Sequence, residues 1–341
     1  MCFFMVMPAI IARAPTRLDF GGGWTDVPPY AQEQGGFVCN VAISRYATVR
    51  LERNQPGTPV SPPQREQALA DAALRLSALS GVRATISNDF PLGAGLGGSS
   101  AAGVAVMGAV QLWRAMESRG GEPSALRHEI NALPSTMDRS LLAEESRRVE
   151  VEELGIAGGR QDHYAAAFGG ALALSFGTST VVREIALERS ALRALEARCI
   201  VVYTGQSRMS SDTIRAVLDG YGSRNARVVT ALQRMKELAA TMADALLVGD
   251  LDALGMLVGE HWAHQRSLHP SITTPLIDEI ISRATAAGAI GGKALGASGG
   301  GCVLLVAAQG FEEPVRRAAE ELAELLPFSV DQTGFAGSAT A

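Results

Sequence analysis

Between Pro91 and Ala101 the chain reads Pro-Leu-Gly-Ala-Gly-Leu-Gly-Gly-Ser-Ser-Ala, with four glycines in six residues, ahead of an apolar, proline-free run. Glycines strip away side chains, so the backbone here can wrap closely around a ligand. The run from Ser99 to about Glu117 is apolar nearly all round, which reads as a buried helix. Ser99 and Ser100 are of the residue type that caps a helix start, where unpaired N–H groups carry partial positive charge. Such a loop and helix start bind phosphate. The competing reading is a glycine turn that only lets the helix pack tightly. No Lys-Ser/Thr pair follows at Walker spacing, and no βαβ unit with a following acidic residue supports a dinucleotide fingerprint.

The 341 residues suffice for one large domain or two ordinary ones. Apolar residues at 47% supply a packed core, and a net charge of −5 lacks the basic excess of a protein that lives on nucleic acid or an anionic membrane. Four scattered cysteines without a CxxC pair read as reduced thiols of a cytoplasmic protein, with no zinc site. Met1–Met7 is apolar but carries no preceding basic residue, so a first strand is expected rather than a signal peptide. No uncharged run reaches membrane-spanning length.

Strands are expected at 9–13, 37–52, 82–86, 171–176, 199–203, 302–307 and 328–332. Helices are expected at 64–80, 99–117, 139–154, 163–168, 210–220, 223–247, 250–261, 272–287 and 312–325. Residues 53–63, with four prolines, read as a surface loop, and the small, polar tail 334–341 as mobile. Strands and helices mix without regular βαβ alternation, which favours an α+β fold. A boundary falls between 177 and 196, giving an N-terminal domain at 1–190 and a C-terminal domain at 191–341.

The glycine segment resembles the second motif of the GHMP kinases, named for galactokinase, homoserine kinase, mevalonate kinase and phosphomevalonate kinase. Two flanking motifs stand in the right order. Arg13-Ala-Pro-Thr-Arg-Leu-Asp-Phe-Gly-Gly-Gly-Trp-Thr-Asp26 is similar to the family's substrate motif, and Gly291-Gly-Lys-Ala-Leu-Gly-Ala-Ser-Gly-Gly-Gly-Cys302 to its third motif, with Ser298 where glycine is common. The resemblance implies an ATP-dependent kinase. Its fold would pair an N-terminal domain like domain 2 of ribosomal protein S5 with a C-terminal ferredoxin-like domain, the site lying in the cleft between them.

Carried over residue by residue, the resemblance puts Arg17 beside the transferred phosphate and Asp162 in the place of the base. It puts Glu150 and Ser99 on Mg²⁺. Pro91, Gly93, Gly95, Leu96, Gly97, Gly98, Ser99, Ser100 and Ala101, with Gly299 and Gly300, would hold the nucleotide. Gly22, Gly23, Trp24, Thr25 and Asp26, with Arg208, would meet the substrate. An arginine beside Asp162 keeps it ionised and so a weak base. Asp162 also reads as the N-cap of the helix at 163–168. His261, His264 and His269 offer one i,i+3 spacing without a carboxylate partner, poor material for a metal site.

Gly23-Trp24 stands where galactokinases have Glu-His, which argues against galactose. Phe20–Tyr30 and Gly158–Gly170 look most like fucokinases and D-glycero-D-manno-heptose 7-phosphate kinases, which phosphorylate an anomeric hydroxyl. The implied partner is a small-molecule sugar, not nucleic acid or membrane, and the enzyme is a monomer or homodimer. A galactokinase-like or mevalonate kinase-like enzyme, or a non-catalytic homologue that only binds its ligand, are the alternatives.

Overall fold

The computed structural model describes residues 8–54, 65–118, 137–156, 158–206 and 211–340. Met1–Met7, most of the proline-rich loop, residues 119–136 and Arg208 lie outside the described residues.

Strand β1 (Ala9–Gly21) pairs antiparallel with β2 (Gly36–Arg53), from Ala9 opposite Glu52 to Gly21 opposite Cys39. The strand expected at 9–13 thus continues into the first motif as far as Gly21. Apolar/polar alternation ends near Ala14 because the rest of β1 is buried on both faces, so periodicity could not reveal it. Register shifts follow Pro15 and Asp19, and proline has no N–H for the ladder. Strand β3 (Val82–Asn88) pairs with the outer half of β2 and β4 (Ala171–Phe176) with its inner half, while β5 (Thr180–Ile185) pairs with β4.

From the N-terminal half of the sequence, α2 (Arg65–Leu76), α3 (Gly98–Ser118), α4 (Arg139–Arg148) and α5 (Gln161–Phe168) serve this sheet. A short α1 (Tyr30–Gln34) precedes β2. Small residues line α3, so neighbours approach closely; a Cβ on Gly108 would overlap the Phe335 ring. The helix expected at 139–154 ends at Arg148 and widens into a π turn at Val149–Glu153.

The second sheet holds β6 (Cys199–Tyr203), β7 (Ala289–Ala294), β8 (Cys302–Ala307) and β9 (Glu324–Leu325), in the order β7-β8-β6-β9, all antiparallel. Helices α6 (Arg189–Arg198), α7 (Ser211–Gly222), α9 (Leu251–Ser267), α10 (Pro275–Ala286) and α11 (Glu312–Glu320) accompany it, while α8 (Ala226–Val248) packs on α9 and against β1, β2, β4 and β5 of the first sheet. β7 was not legible as a strand because Gly291 and Gly292 dilute its pattern. A Cβ on Gly291 would overlap the Gly255 carbonyl of α9, so the glycine is what lets helix and strand meet.

Near the C-terminus three expectations change. The last helix stops at Glu320, because Glu324 and Leu325 pair with β6. The strand expected at 328–332 is a single bridge between Val330 and Ile43. The tail expected to be mobile forms β10 (Ala336–Thr340), which pairs with β1 from Ala9–Thr340 to Arg13–Ala336. With a boundary at 190/191, β10 falls in the C-terminal half of the sequence but in the N-terminal sheet. The apolar core interlocks the two halves: Met242, Val258, Leu295 and Cys302 join Leu18, Phe20 and Trp113, while Trp24 and Tyr30 join Tyr221, Met235 and Trp262.

Candidate active site

The glycine loop explains its own composition. Gly93, Gly95 and Gly97 have φ of 69°, 76° and 75°, the left-handed region that side chains disfavour. Gly98 is needed for space, since a Cβ there would overlap the Phe90 ring. Helix α3 starts at Gly98, one residue earlier than expected, so Ser99 and Ser100 sit in its first turn instead of capping it. Leu96 and Ala101 are core residues, and the Leu96 carbonyl accepts from the Arg17 N–H at 3.0 Å.

The third motif lies on this loop backbone to backbone. The Cys302 N–H donates to the Ala94 carbonyl at 2.8 Å, and a Cβ on Gly296 would come within 2.8 Å of Gly95 Cα. Ser298, with φ of 66°, adopts the glycine-favoured conformation and is held by Gln265, whose Nε2 donates to its Oγ at 3.2 Å. The Gly299 N–H is taken by the Ile272 carbonyl at 2.9 Å.

Arg17 ties strand, loop and helix together. Its Nε donates to Asp162 Oδ1 at 2.8 Å, and Nη1 donates to the Gly95 carbonyl at 2.6 Å. The Asp162 side chain stays 25% exposed against 5% for Arg17, so the carboxylate is the end a ligand can reach. A Cβ on Gly97 would stand 3.0 Å from Asp162 Oδ2, which places that oxygen against the loop. Asp162 lies within the first turn of α5, and the N-cap position belongs to Arg160, which makes no side-chain cap bond. The expected capping role of Asp162 is therefore corrected.

The π turn brings Glu150 inward. Ser100 Oγ donates to Glu150 Oε2 at 2.9 Å, and His163 Nε2 lies 3.1 Å from the same oxygen. On its other side the His163 ring meets Ser146 Oγ at 3.0 Å. Burial pushes the Glu150 pKa up, but the bond and charge of His163, with the hydroxyls of Ser99 and Ser100, outweigh it and hold the pKa at about 2. An ionised carboxylate beside hydroxyls at a helix start suits Mg²⁺, which takes one or two carboxylates and completes its shell with phosphate oxygens and water. Among the described residues no group of three or more His, Cys, Asp or Glu could hold a metal by itself.

The segment expected to meet substrate is firmly built in. Gly22 has φ of 90°, and its N–H donates to His261 Nε2 at 2.9 Å. Burial, then the nearby Lys293 charge, keeps His261 well below the usual histidine range, which leaves Nε2 free to accept. A Cβ on Gly23 would stand 2.5 Å from Asp19 Oδ2. Trp24, with φ of 79°, packs into the second apolar cluster. Thr25 Oγ1 donates to the Gly22 carbonyl at 2.7 Å and accepts from the Phe37 N–H at 3.1 Å. Asp26 Oδ2 accepts from the N–H groups of Arg160 at 2.8 Å and Gln161 at 3.0 Å. Burial raises the Asp26 pKa to about 6, the backbone bonds opposing it and the charges of Asp162 and Asp19 adding to it.

Sequence reasoning missed Asp19, Lys293, His163 and Gln265, and weighed His261 only as a metal ligand. Lys293 Nζ donates to Asp19 Oδ2 at 3.1 Å and to the Asp19 carbonyl at 3.0 Å. A lone lysine in the apolar, glycine-rich stretch 289–296 was the available signal, since a buried ammonium needs a partner. The other four become visible only when distant elements meet.

Glycine-rich backbone, an Arg–Asp pair and an ionised Glu at a helix start are the kinds of group that phosphoryl transfer uses. The family models for the GHMP kinases N terminal domain and the GHMP kinases C terminal domain match residues 66–170 and 242–327, together more than half of the chain. The chain belongs to the GHMP kinases and has their two-domain fold. It is 27% identical over 337 residues to the D-glycero-alpha-D-manno-heptose 7-phosphate kinase of Campylobacter jejuni, with 91% of each chain covered. It is also 27% identical to the bifunctional fucokinase/GDP-fucose pyrophosphorylase of Arabidopsis thaliana, covering 91% of this chain but 31% of that one. The crystal structure of a D-glycero-D-manno-heptose 1-phosphate kinase from Bacteroides thetaiotaomicron superimposes with a TM-score of 0.71 at 25% identity, covering 96% of this chain and 98% of that one. Among the described residues no helix is long and apolar enough to cross a membrane.

Proposed function

We propose that this chain transfers the γ-phosphate of ATP to a sugar hydroxyl, the anomeric 1-OH of a heptose 7-phosphate or of L-fucose. The observation that carries the reading is the Arg17–Asp162 pair, set against Gly95 and Gly97 at the start of α3. Relatives named for sugar phosphorylation match 91% of the chain. A mevalonate kinase of Thermococcus onnurineus, 28% identical, matches 67% of it. That difference favours a sugar over a small acyclic alcohol.

The loop's open backbone and the first N–H groups of α3 receive the phosphates, with Gly299 and Gly300 closing from the other side. Glu150 and Ser99 would hold Mg²⁺, which neutralises the β- and γ-phosphate oxygens. Arg17 supplies positive charge beside the transferred group while keeping Asp162 ionised. As the bond from the acceptor oxygen to γ-phosphorus forms and the bond to the β–γ bridging oxygen breaks, the hydroxyl proton passes to Asp162 and ADP leaves. A loose transition state demands little proton removal early, so orientation by Asp162 matters as much as basicity. The segment from Gly22 to Asp26 would border the acceptor through its backbone, since the side chains of Trp24, Thr25 and Asp26 are buried against the protein.

Buried free thiols at Cys39, Cys199 and Cys302 and the mildly acidic charge support a cytoplasmic enzyme acting on a small molecule. Coupled ADP release against L-fucose, heptose 7-phosphate, D-mannose, galactose, arabinose and mevalonate tests the reading. Turnover with a heptose phosphate or fucose supports it. ATP binding without turnover of any sugar sinks it in favour of a ligand-binding homologue.

A further inference from the structure

We infer that Asp26 is a positioning residue of this site, capping helix α5 from 134 positions away in the chain. Its Oδ2 accepts from both Arg160 N–H and Gln161 N–H, donors that a helix leaves unpaired at its start. No local residue does this. Arg160 at the cap position makes no side-chain cap bond, its guanidinium reaching Thr180 and Glu144 instead and having no acceptor to offer. Gly159 completes the contact, because a Cβ there would overlap the Asp26 carboxylate. The Thr25-Asp26 pair and Gly159, far apart in sequence, are two halves of one device. Thr25 anchors the first half through Gly22 and Phe37.

The consequence lies in what α5 carries. Asp162 meets Arg17, His163 meets Glu150 and Ser146, and Tyr164 OH donates to Glu144 Oε1 at 2.9 Å. Three successive side chains reach three parts of the molecule, so a shift of this helix start displaces the group facing the acceptor and the group holding Glu150 together. One carboxylate thereby sets the geometry of both.

Asp26→Ala and Asp26→Asn are compared with the unaltered protein by amide hydrogen exchange without ligands, and by kinetics with L-fucose and heptose 7-phosphate. Only the kinetic measurement rests on the kinase reading above. Loss of the cap in Asp26→Ala should speed exchange of the Arg160 and Gln161 amides about tenfold. It should lower kcat by about tenfold to a hundredfold while acceptor KM stays within about twofold. Asparagine caps nearly as well as aspartate, so Asp26→Asn should recover most of both losses. A rise in acceptor KM with exchange unchanged overturns the assignment and makes Asp26 a direct ligand of the acceptor. Should Asp26→Ala not fold, Gly159→Ala, whose Cβ displaces the carboxylate, carries the same expectation, and unchanged exchange there overturns it. If no sugar is turned over, the exchange result still decides the cap, and the kinase reading fails separately.

Discussion

Lys293 Nζ lies 3.1 Å from Asp19 Oδ2, both side chains shut away from water, and the pair joins the third glycine motif to the first. The ammonium also donates to the Asp19 carbonyl, so a single cation holds both side chain and backbone of β1. Burial pulls the Lys293 pKa down and Asp19 pushes it back up. Such a pair is costly to break from one side because the remaining charge is stranded in a low-dielectric interior.

Lys293→Met should therefore destabilise the protein by roughly 3–5 kcal/mol. Adding Asp19→Asn should recover part of that loss, since no charge is then left unpaired. Urea unfolding of the unaltered protein and the two variants reads both effects. A single variant within about 1 kcal/mol of the unaltered protein would show that the pair contributes little.

Asp162→Ala should lower kcat by roughly a hundredfold to ten-thousandfold while ATP affinity stays near that of the unaltered enzyme. On the reading proposed above, the backbone of the glycine loop and α3 holds the nucleotide, and the Asp162 carboxylate, bonded to Arg17, faces the acceptor. Unimpaired kcat would remove Asp162 from the reaction, and lost ATP binding would make it part of the nucleotide site instead.

Glu150→Gln should raise the Mg²⁺ concentration needed for half-maximal rate, and an unchanged titration removes Glu150 from the metal shell. The same variant has an acid signature. The folded pKa of about 2 lies below the ordinary 4.5, so the charged carboxylate favours the fold. Its contribution is fully present above about pH 4.5 and is lost as pH falls through about 2. The unaltered protein should lose on the order of 3 kcal/mol across that window that the glutamine variant does not lose. Asp26 acts with the opposite sign, present below about pH 4 and lost as pH rises through about 6. That contribution cancels when the two proteins are compared by denaturant midpoints at each pH.

Gly97→Ala puts a methyl group 2.9 Å from Asp162 Cγ at a φ of 75°. It should lower kcat sharply and cost about 1–2 kcal/mol of stability. Gly81→Ala is the control, with φ of 74° and nothing within 4 Å. It should lose similar stability and keep kcat. Equal kcat in both would mean that the loop tolerates a side chain beside Asp162.

The readable parts of this protein are those coded locally. The glycines from Gly93 to Gly98 announce an open backbone able to wrap a ligand, and the apolar run after them announces α3. Strands β6 and β8 are continuous apolar segments and were placed to the residue. Long-range partnerships were not readable. Asp26 bears no local mark of capping α5, and His261 bears none of accepting from Gly22. The buried length of β1 was hidden because strands covered on both faces lose their alternation. Trp24 suggested a contact with substrate, yet its side chain lies in the second apolar cluster.

Strand β10 gives the fold an order of assembly. Residues 9–13 have β2 on one side and residues 336–340 on the other. A ribosome delivers β2, β3, β4 and β5 long before β10 exists, so the outer edge of β1 stays open until residues 336–340 emerge. An open strand edge invites pairing with another chain. This fold therefore asks most of a cell's chaperones before its last strand emerges, and a truncation removing residues 336–340 should aggregate before it loses the geometry of its site.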